Sequence, residues 1–228
     1  MTARLRPELE TLPSRLRTLP VDDRGYPVPW FVAWRADGQP EFRAMDPEKW
    51  IRAVRDRRCW VCGGALGQYL AFVIGPMCGI NRTTAEPACH LECAEWSARN
   101  CPFLTRPHMV RREDDEINTA QLAVQSAGMA LARNPGVALI WITKSFHVFD
   151  DGTDKPLIHL GNPLRTLWYS QGRRATREEV IASVESGLPS LLTIAQQEDR
   201  EQPFANAEHA LMRMKTALES WYPPAVSA

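Results

Sequence analysis

Apolar positions along the chain switch period several times, and each switch predicts an element. Residues 1–28 carry Leu5, Leu9, Leu12 and Leu16 at near-helical spacing, but Pro7, Pro13 and Pro20 interrupt them. This predicts an arm that packs on the body without a long helix of its own. Residues 29–34 and 40–43 have β-propensity and flank Asp37-Gly38, so they predict a hairpin. Asp46-Pro47 is an N-cap followed by proline at the first helical position; the helix it starts runs to about Arg57, with Trp50, Ile51 and Val54 on its apolar face. Residues 68–74 form a strand-like apolar run ended by Gly75-Pro76, and residues 89–100 predict a helix with Trp96 inward.

Beyond a basic, proline-punctuated connector, residues 113–134 predict a helix with acids in its first turn and a stop at Asn134-Pro135-Gly136. Residues 137–143 have the continuous apolarity of a buried strand. Further strands are expected at 146–149 and 156–160 around a turn at 150–152. Thr176 and Glu179 have the spacing of a capping box, starting a helix through Val180, Ile181 and Val184 that stops at Gly187-Leu188-Pro189. Two more helices are expected at about 189–198 and 205–221. Few, clustered strand signals argue against a doubly wound parallel sheet. The expectation is an α+β fold in two parts: residues 1–107, with hairpin, helix and a metal-binding module, and residues 113–228, with a small sheet and a helical C-terminus.

Composition changes this picture little. The chain has 228 residues, 44% of them hydrophobic, enough for a packed core. Lys plus Arg equals Asp plus Glu at 27 each, so no global field draws it to nucleic acid or an anionic membrane, and such binding needs a local patch. No apolar run approaches the ~20 residues that span a bilayer, and the first residues lack a secretory hydrophobic core; a cytoplasmic protein with no membrane partner is expected.

The cysteines change it most. All six lie between Cys59 and Cys101, in the run Cys59-Trp60-Val61-Cys62-Gly63, then Cys78, then Cys89-His90-Leu91-Glu92-Cys93, then Cys101. Two residues three apart on a tight turn can both reach one ion at about 2.3 Å, and a second close pair completes a tetrahedron, which predicts bound zinc. Knuckle, strands and a helix whose first turn carries ligands is an order that resembles a treble-clef zinc finger. That resemblance implies Cys59, Cys62, His90 and Cys93 as ligands. His90 and Cys93 share a helix face at i and i+3, while a Cys89/Cys93 pair is the alternative. Runs of Cys-x-x-Cys suited to an iron–sulfur cluster are absent.

Enzyme readings use the same region. A thiolate at Cys78, or an open zinc with Glu86 or Glu92 carrying protons in the manner of deaminases, would make the chain a hydrolase or deaminase. An HNH-type nuclease, built on a treble clef, needs histidines beyond His90 in this segment; Asn81 is present but the Asp-His pair is not.

Arginines cluster at Arg55, Arg57 and Arg58, at Arg106, Arg111 and Arg112, and at Arg173, Arg174 and Arg177. Two clusters brought together would form a phosphate-binding strip, with Arg57, Arg58, Arg111 and Arg112 bracketing the finger; a solvated face is the alternative. His147 and His159, on adjacent expected strands, approach either as ligands or as an ordinary half-buried pair. The segments 59–63, 71–78, 86–90, 101–104 and 172–180 resemble uncharacterised proteins of bacteriophages and their bacterial hosts. This resemblance implies an accessory role on nucleic acid or on a host or phage protein and assigns no activity. The expectation is a zinc-stabilised protein that binds nucleic acid or a nucleoprotein partner.

Overall fold

The computed structural model describes residues 4–106, 136–150, 156–202 and 204–225. The expected helix at 113–134, Arg111 and Arg112, and most of the turn at 150–152 lie outside the described residues. The elements, in chain order, are a 3-10 turn Ser14–Leu16, β1 Val32–Trp34, β2 Pro40–Met45, α1 Pro47–Arg55, β3 Leu70–Ile74, α2 Pro76–Asn81, β4 Thr83–Thr84, α3 Leu91–Asn100 and α4 Pro102–Thr105. They continue with β5 Ala138–Thr143, β6 Phe146–Asp150, β7 Pro156–Leu160, β8 Arg165–Ser170, β9 Arg173–Arg174, α5 Arg177–Glu201 and α6 Ala207–Glu219. The architecture is α+β, and every strand pair among the described residues is antiparallel.

Among the described residues three sheets form, ordered β1-β2, β3-β5-β8-β9 and β4-β7-β6. The second lies between two cores, which explains why β5 is apolar at every position but its last. Leu70, Phe72, Leu139, Trp141 and Trp168 point to one side, against Met77 and Ile80 of α2 and Val180, Val184, Leu211 and Leu218 of α5 and α6. Ala71, Ile140, Ile142, Leu167 and Tyr169 point to the other, against the cysteine module and Ala94, Trp96 and Ala98 of α3. A strand buried on both faces has no polar alternation to keep. The register Leu70↔Thr143 through Ile74↔Leu139 thus joins residues from both sides of the 107–113 connector in one sheet.

Local chemistry sets the element ends. Asp46 accepts from the backbone N–H of Glu48 and Lys49, capping α1. Its inward residues are Ala53, Trp50 and Val54, whereas Ile51, expected on that face, is 54% exposed. The N-terminal arm is tied to α3: Asn100 Oδ1 accepts from the Glu10 N–H at 2.9 Å, and Arg99 pairs with the Glu10 carboxylate at 2.9 Å. Leu12 and Leu16 are buried beneath it.

The expected helix break at residues 187–189 does not occur; α5 runs through Pro189. Gly187 serves close packing, because a Cβ there would lie 2.9 Å from the Met77 sulfur of α2. Val180, Val184, Leu188, Leu191, Leu192 and Ala195 all pack on the core, and this burial outweighs the hydrogen bond that proline cannot donate. Asp199, near the end of α5, accepts from the N–H groups of Ala207 and Glu208 at 2.6 and 3.0 Å, so one helix caps the next.

The capping box forms as the spacing requires, with Thr176 Oγ1 accepting from Glu179 N–H and the Glu179 carboxylate accepting from Thr176 N–H. Arg173, bidentate on Glu179, together with that N–H holds the carboxyl down to about 2, from the usual 4.5. A depressed carboxyl stabilises the fold above its unfolded pKa and loses that contribution as pH falls through the folded value. Thermal stability should therefore fall between about pH 4.5 and about pH 2, and Glu179→Gln should flatten that part of the profile. Thr176→Ala should cost about 1 kcal/mol in denaturant unfolding at neutral pH. An unchanged pH profile in Glu179→Gln would contradict the assignment.

Candidate metal centre

The knuckle is built by backbone bonds. Cys59 N–H donates to Gly64 O at 2.7 Å, and Gly63 N–H donates to Cys59 O at 2.8 Å. Gly63 sits at φ +72°, and a Cβ there would fall 2.7 Å from the Trp30 ring, so glycine is required twice over. Trp60, between the two knuckle cysteines, stacks on Phe31 at 4.9 Å and meets Trp30 edge-on, which places the β1–β2 region over the knuckle. Trp60 N–H donates to Ala88 O at 2.9 Å, and Ala71 and Cys89 exchange bonds at 3.0 and 2.7 Å. These links bring the start of α3 beside the knuckle.

There Cys59, Cys62, His90 and Cys93 converge, with their ligand atoms all within 4.8 Å of one another. His90 is the N-cap of α3 and Cys93 lies in its first turn. Cys59 and Cys93 are buried; Cys62 and His90 are half-buried. His90 Nδ1 is 3.4 Å from Cys62 Sγ and 3.9 Å from Cys93 Sγ. A tetrahedral ion with bonds of about 2.3 Å to sulfur and about 2.0 Å to nitrogen requires S···N separations of about 3.5 Å, so the cluster fits within small adjustments. Cys89 is not among the four. It is buried, and its nearness to the Cys59 sulfur, together with burial, raises its thiol well above the usual range.

Outer contacts orient the donors. His90 Nε2–H donates to Ala65 O at 2.9 Å, which leaves the Nδ1 lone pair facing the sulfurs. Cys59 Sγ accepts from the backbone N–H groups of Cys62 and His90 at 3.5 and 3.4 Å. The thiols of Cys62, Cys89 and Cys93 hold the Cys59 sulfur strongly in the thiolate form. That charge in turn pushes the Cys93 thiol up, with Cys62 adding to the effect, and raises the His90 imidazole. The four donors cannot all be deprotonated at such distances unless a cation lies among them. The Cys3His set can hold a metal ion, and a bound cation would resolve this repulsion. The Ala65 carbonyl is the contributor that spacing alone does not reveal.

The remaining two cysteines lie outside the cluster. Cys78, expected in a glycine-flanked loop, lies within α2, where burial, with Glu86 adding, pushes its thiol up to about 11. Cys101, between α3 and α4, is likewise raised by burial. Glu92 is tied to Arg15 at 2.6 Å on the surface.

The arginine clusters differ in what holds them. Arg57 donates to Gly67 O at 3.2 Å and Arg58 to Gly63 O at 3.4 Å, both backbone carbonyls of the knuckle loop. Arg173 and Arg174 are instead paired with Glu179 and Glu95, and Arg177 donates to Pro223 O. Close to Arg57 along the same loop, Tyr69 is 58% exposed, and Lys144 Nζ lies 5.5 Å from its ring centre. His147 and His159 face each other across β6 and β7.

Compared with known proteins, the chain matches no family model, no curated protein and no solved structure. Among the described residues, no helix is long and apolar enough to cross a membrane.

Proposed function

We propose that the chain is a zinc-stabilised protein, with ligands in treble-clef order, that binds nucleic acid through the surface beside its knuckle. Three thiolates and one imidazole in a tetrahedral arrangement suit zinc better than the oxygen-seeking divalent ions, and four protein ligands leave no open position for a catalytic water. The observations that carry the nucleic-acid reading are Arg57 and Arg58 held on the knuckle loop and, two residues beyond Gly67 to which Arg57 donates, the exposed Tyr69 with Lys144 over its ring. Arg57 and Arg58 rest on neutral carbonyls and keep their charge available to phosphate, while an exposed tyrosine beside Lys144 offers a face on which a base can stack. Arg111 and Arg112, expected to extend this patch, lie outside the described residues.

The enzyme alternatives are weaker. A thiol held at about 11 is protonated at neutral pH, which disfavours Cys78 as a nucleophile. The pairing of Glu92 with Arg15 turns it away from a proton-carrying role.

Binding of the zinc-loaded chain to single- and double-stranded DNA and RNA, measured at several salt concentrations, should weaken steeply as salt rises. Arg57→Ala/Arg58→Ala should lower the slope of log K against log salt by roughly 2, one for each phosphate that is no longer neutralised. Salt-independent binding, or a slope unchanged in the double variant, would replace nucleic acid with a protein partner of host or phage type.

A further inference from the structure

The β4-β7-β6 sheet carries a second convergence of metal-binding side chains, remote in sequence from the cysteines and built by a different element. His147 of β6 and His159 of β7 are directly opposed in the antiparallel register, one step from the Phe146↔Leu160 pair. Their ring centres are 4.8 Å apart and the rings are inclined by 36°. Directly opposed residues have Cβ atoms about 4.5–5.5 Å apart, which is within the reach of two imidazoles to one shared ion. His147 is exposed and His159 half-buried, and β6 is the outer strand of its sheet. Neither imidazole hydrogen-bonds to any described residue, so among these no protein partner competes for the ring nitrogens.

The opposite face of β7 fixes the strand. Ile158 and Leu160 are fully buried in the larger core, and Thr83 of β4 pairs with His159 from the other side. The positive neighbour is Arg82, whose guanidinium lies over the Trp141 ring and donates to Asn162 Oδ1 at 2.7 Å; its charge, after burial and His147, lowers the His159 imidazole, which favours the neutral, metal-binding form.

We propose that His147 and His159 form a second metal site, a solvent-facing bis-imidazole chelate for a late divalent transition ion of the Cu2+, Ni2+ or Zn2+ class. Imidazole nitrogens bind these ions at about 2.0–2.1 Å, and two of them anchored on one rigid sheet bind far more tightly than either alone. Water fills the remaining coordination positions. The site is independent of the zinc and nucleic-acid readings.

The test uses the full chain with its Cys3His site loaded with zinc, and Ni2+ as the probe, since Cu2+ oxidises thiols. Calorimetric titration should show one Ni2+ equivalent with no zinc released. His147→Asn and His159→Asn should each weaken it by at least about tenfold, because the chelate is lost with its first arm, and the double variant should abolish the residual single-imidazole uptake as well. His209→Asn should leave it unchanged. Ni2+ uptake matched by zinc loss, an absence of saturable uptake, or unchanged affinity in His147→Asn would overturn the proposal. Should His159→Asn fail to fold, the exposed His147 variant decides alone.

Discussion

Withdrawing the metal from the loaded protein with a strong chelator should unfold the knuckle and the start of α3, with a loss of near-ultraviolet signal from Trp60. The cause is electrostatic as much as coordinative. Without a cation, the Cys59 thiolate stands among donors it forces to stay protonated, and the cluster that closes the knuckle onto α3 loses its centre. Apparent binding free energies for structural zinc are about 10–16 kcal/mol at neutral pH, comparable to or above the total stability of most domains. Cys59→Ala should be the most damaging ligand substitution. It removes a ligand and also leaves the N–H groups of Cys62 and His90 without their acceptor. Cys62→Ala, at the half-buried edge, should be milder. Metal content per chain and melting temperature check both variants. A protein that carries no metal and melts at the same temperature with and without chelator would refute the centre.

The second large effect is expected at Phe72. It is fully buried in β3, meets Phe146 edge-on at 5.9 Å, and pairs across the sheet with Trp141. Phe72→Ala should cost about 3–5 kcal/mol, at roughly 2–4 °C of melting temperature for each kcal/mol in a chain of this size. Ile51→Ala, on the exposed side of α1, should stay within about 0.5 kcal/mol. Because β3 and β5 form adjoining walls of both cores, the whole melting curve should move with Phe72→Ala. Two transitions, with only one displaced, would show that the cysteine module and the C-terminal helices unfold separately.

The site is more legible in the sequence than the fold around it. Ligand spacing is a local property: a knuckle turn and the first turn of a helix each place donors within a few residues, so Cys59, Cys62 and Cys93 stand out in the string, while the choice of His90 over Cys89 rests on a resemblance and on i, i+3 spacing and is decided only by the geometry of the cluster. Capping at Asp46 and Thr176 is local in the same sense. The expected break at Pro189 fails because the packing that overrides it, Gly187 against Met77, joins residues far apart in sequence. The β8–β9 hairpin escapes notice because its tight turn uses Gln171 before Gly172, both at positive φ, and glutamine is not among the residues that announce such turns. Ile51 is misplaced because helical spacing identifies an apolar stripe but not which edge of it the neighbouring elements cover.

The pairing of β3 with β5 has a consequence for the order of events during synthesis. Leu70–Ile74 leaves the ribosome well before Ala138–Thr143, and at roughly 5–20 residues per second the interval is several seconds. Throughout it, an apolar strand with unsatisfied backbone groups waits without its partner, a state that invites association with other nascent chains. Capture of an ion by Cys59, Cys62, His90 and Cys93 needs none of the later residues, and the Ala71–Cys89 link ties that cluster to the waiting strand. Early metallation would therefore act as an internal chaperone, and starving cells of the metal should lower the soluble yield of the full chain more than it lowers the stability of protein already folded.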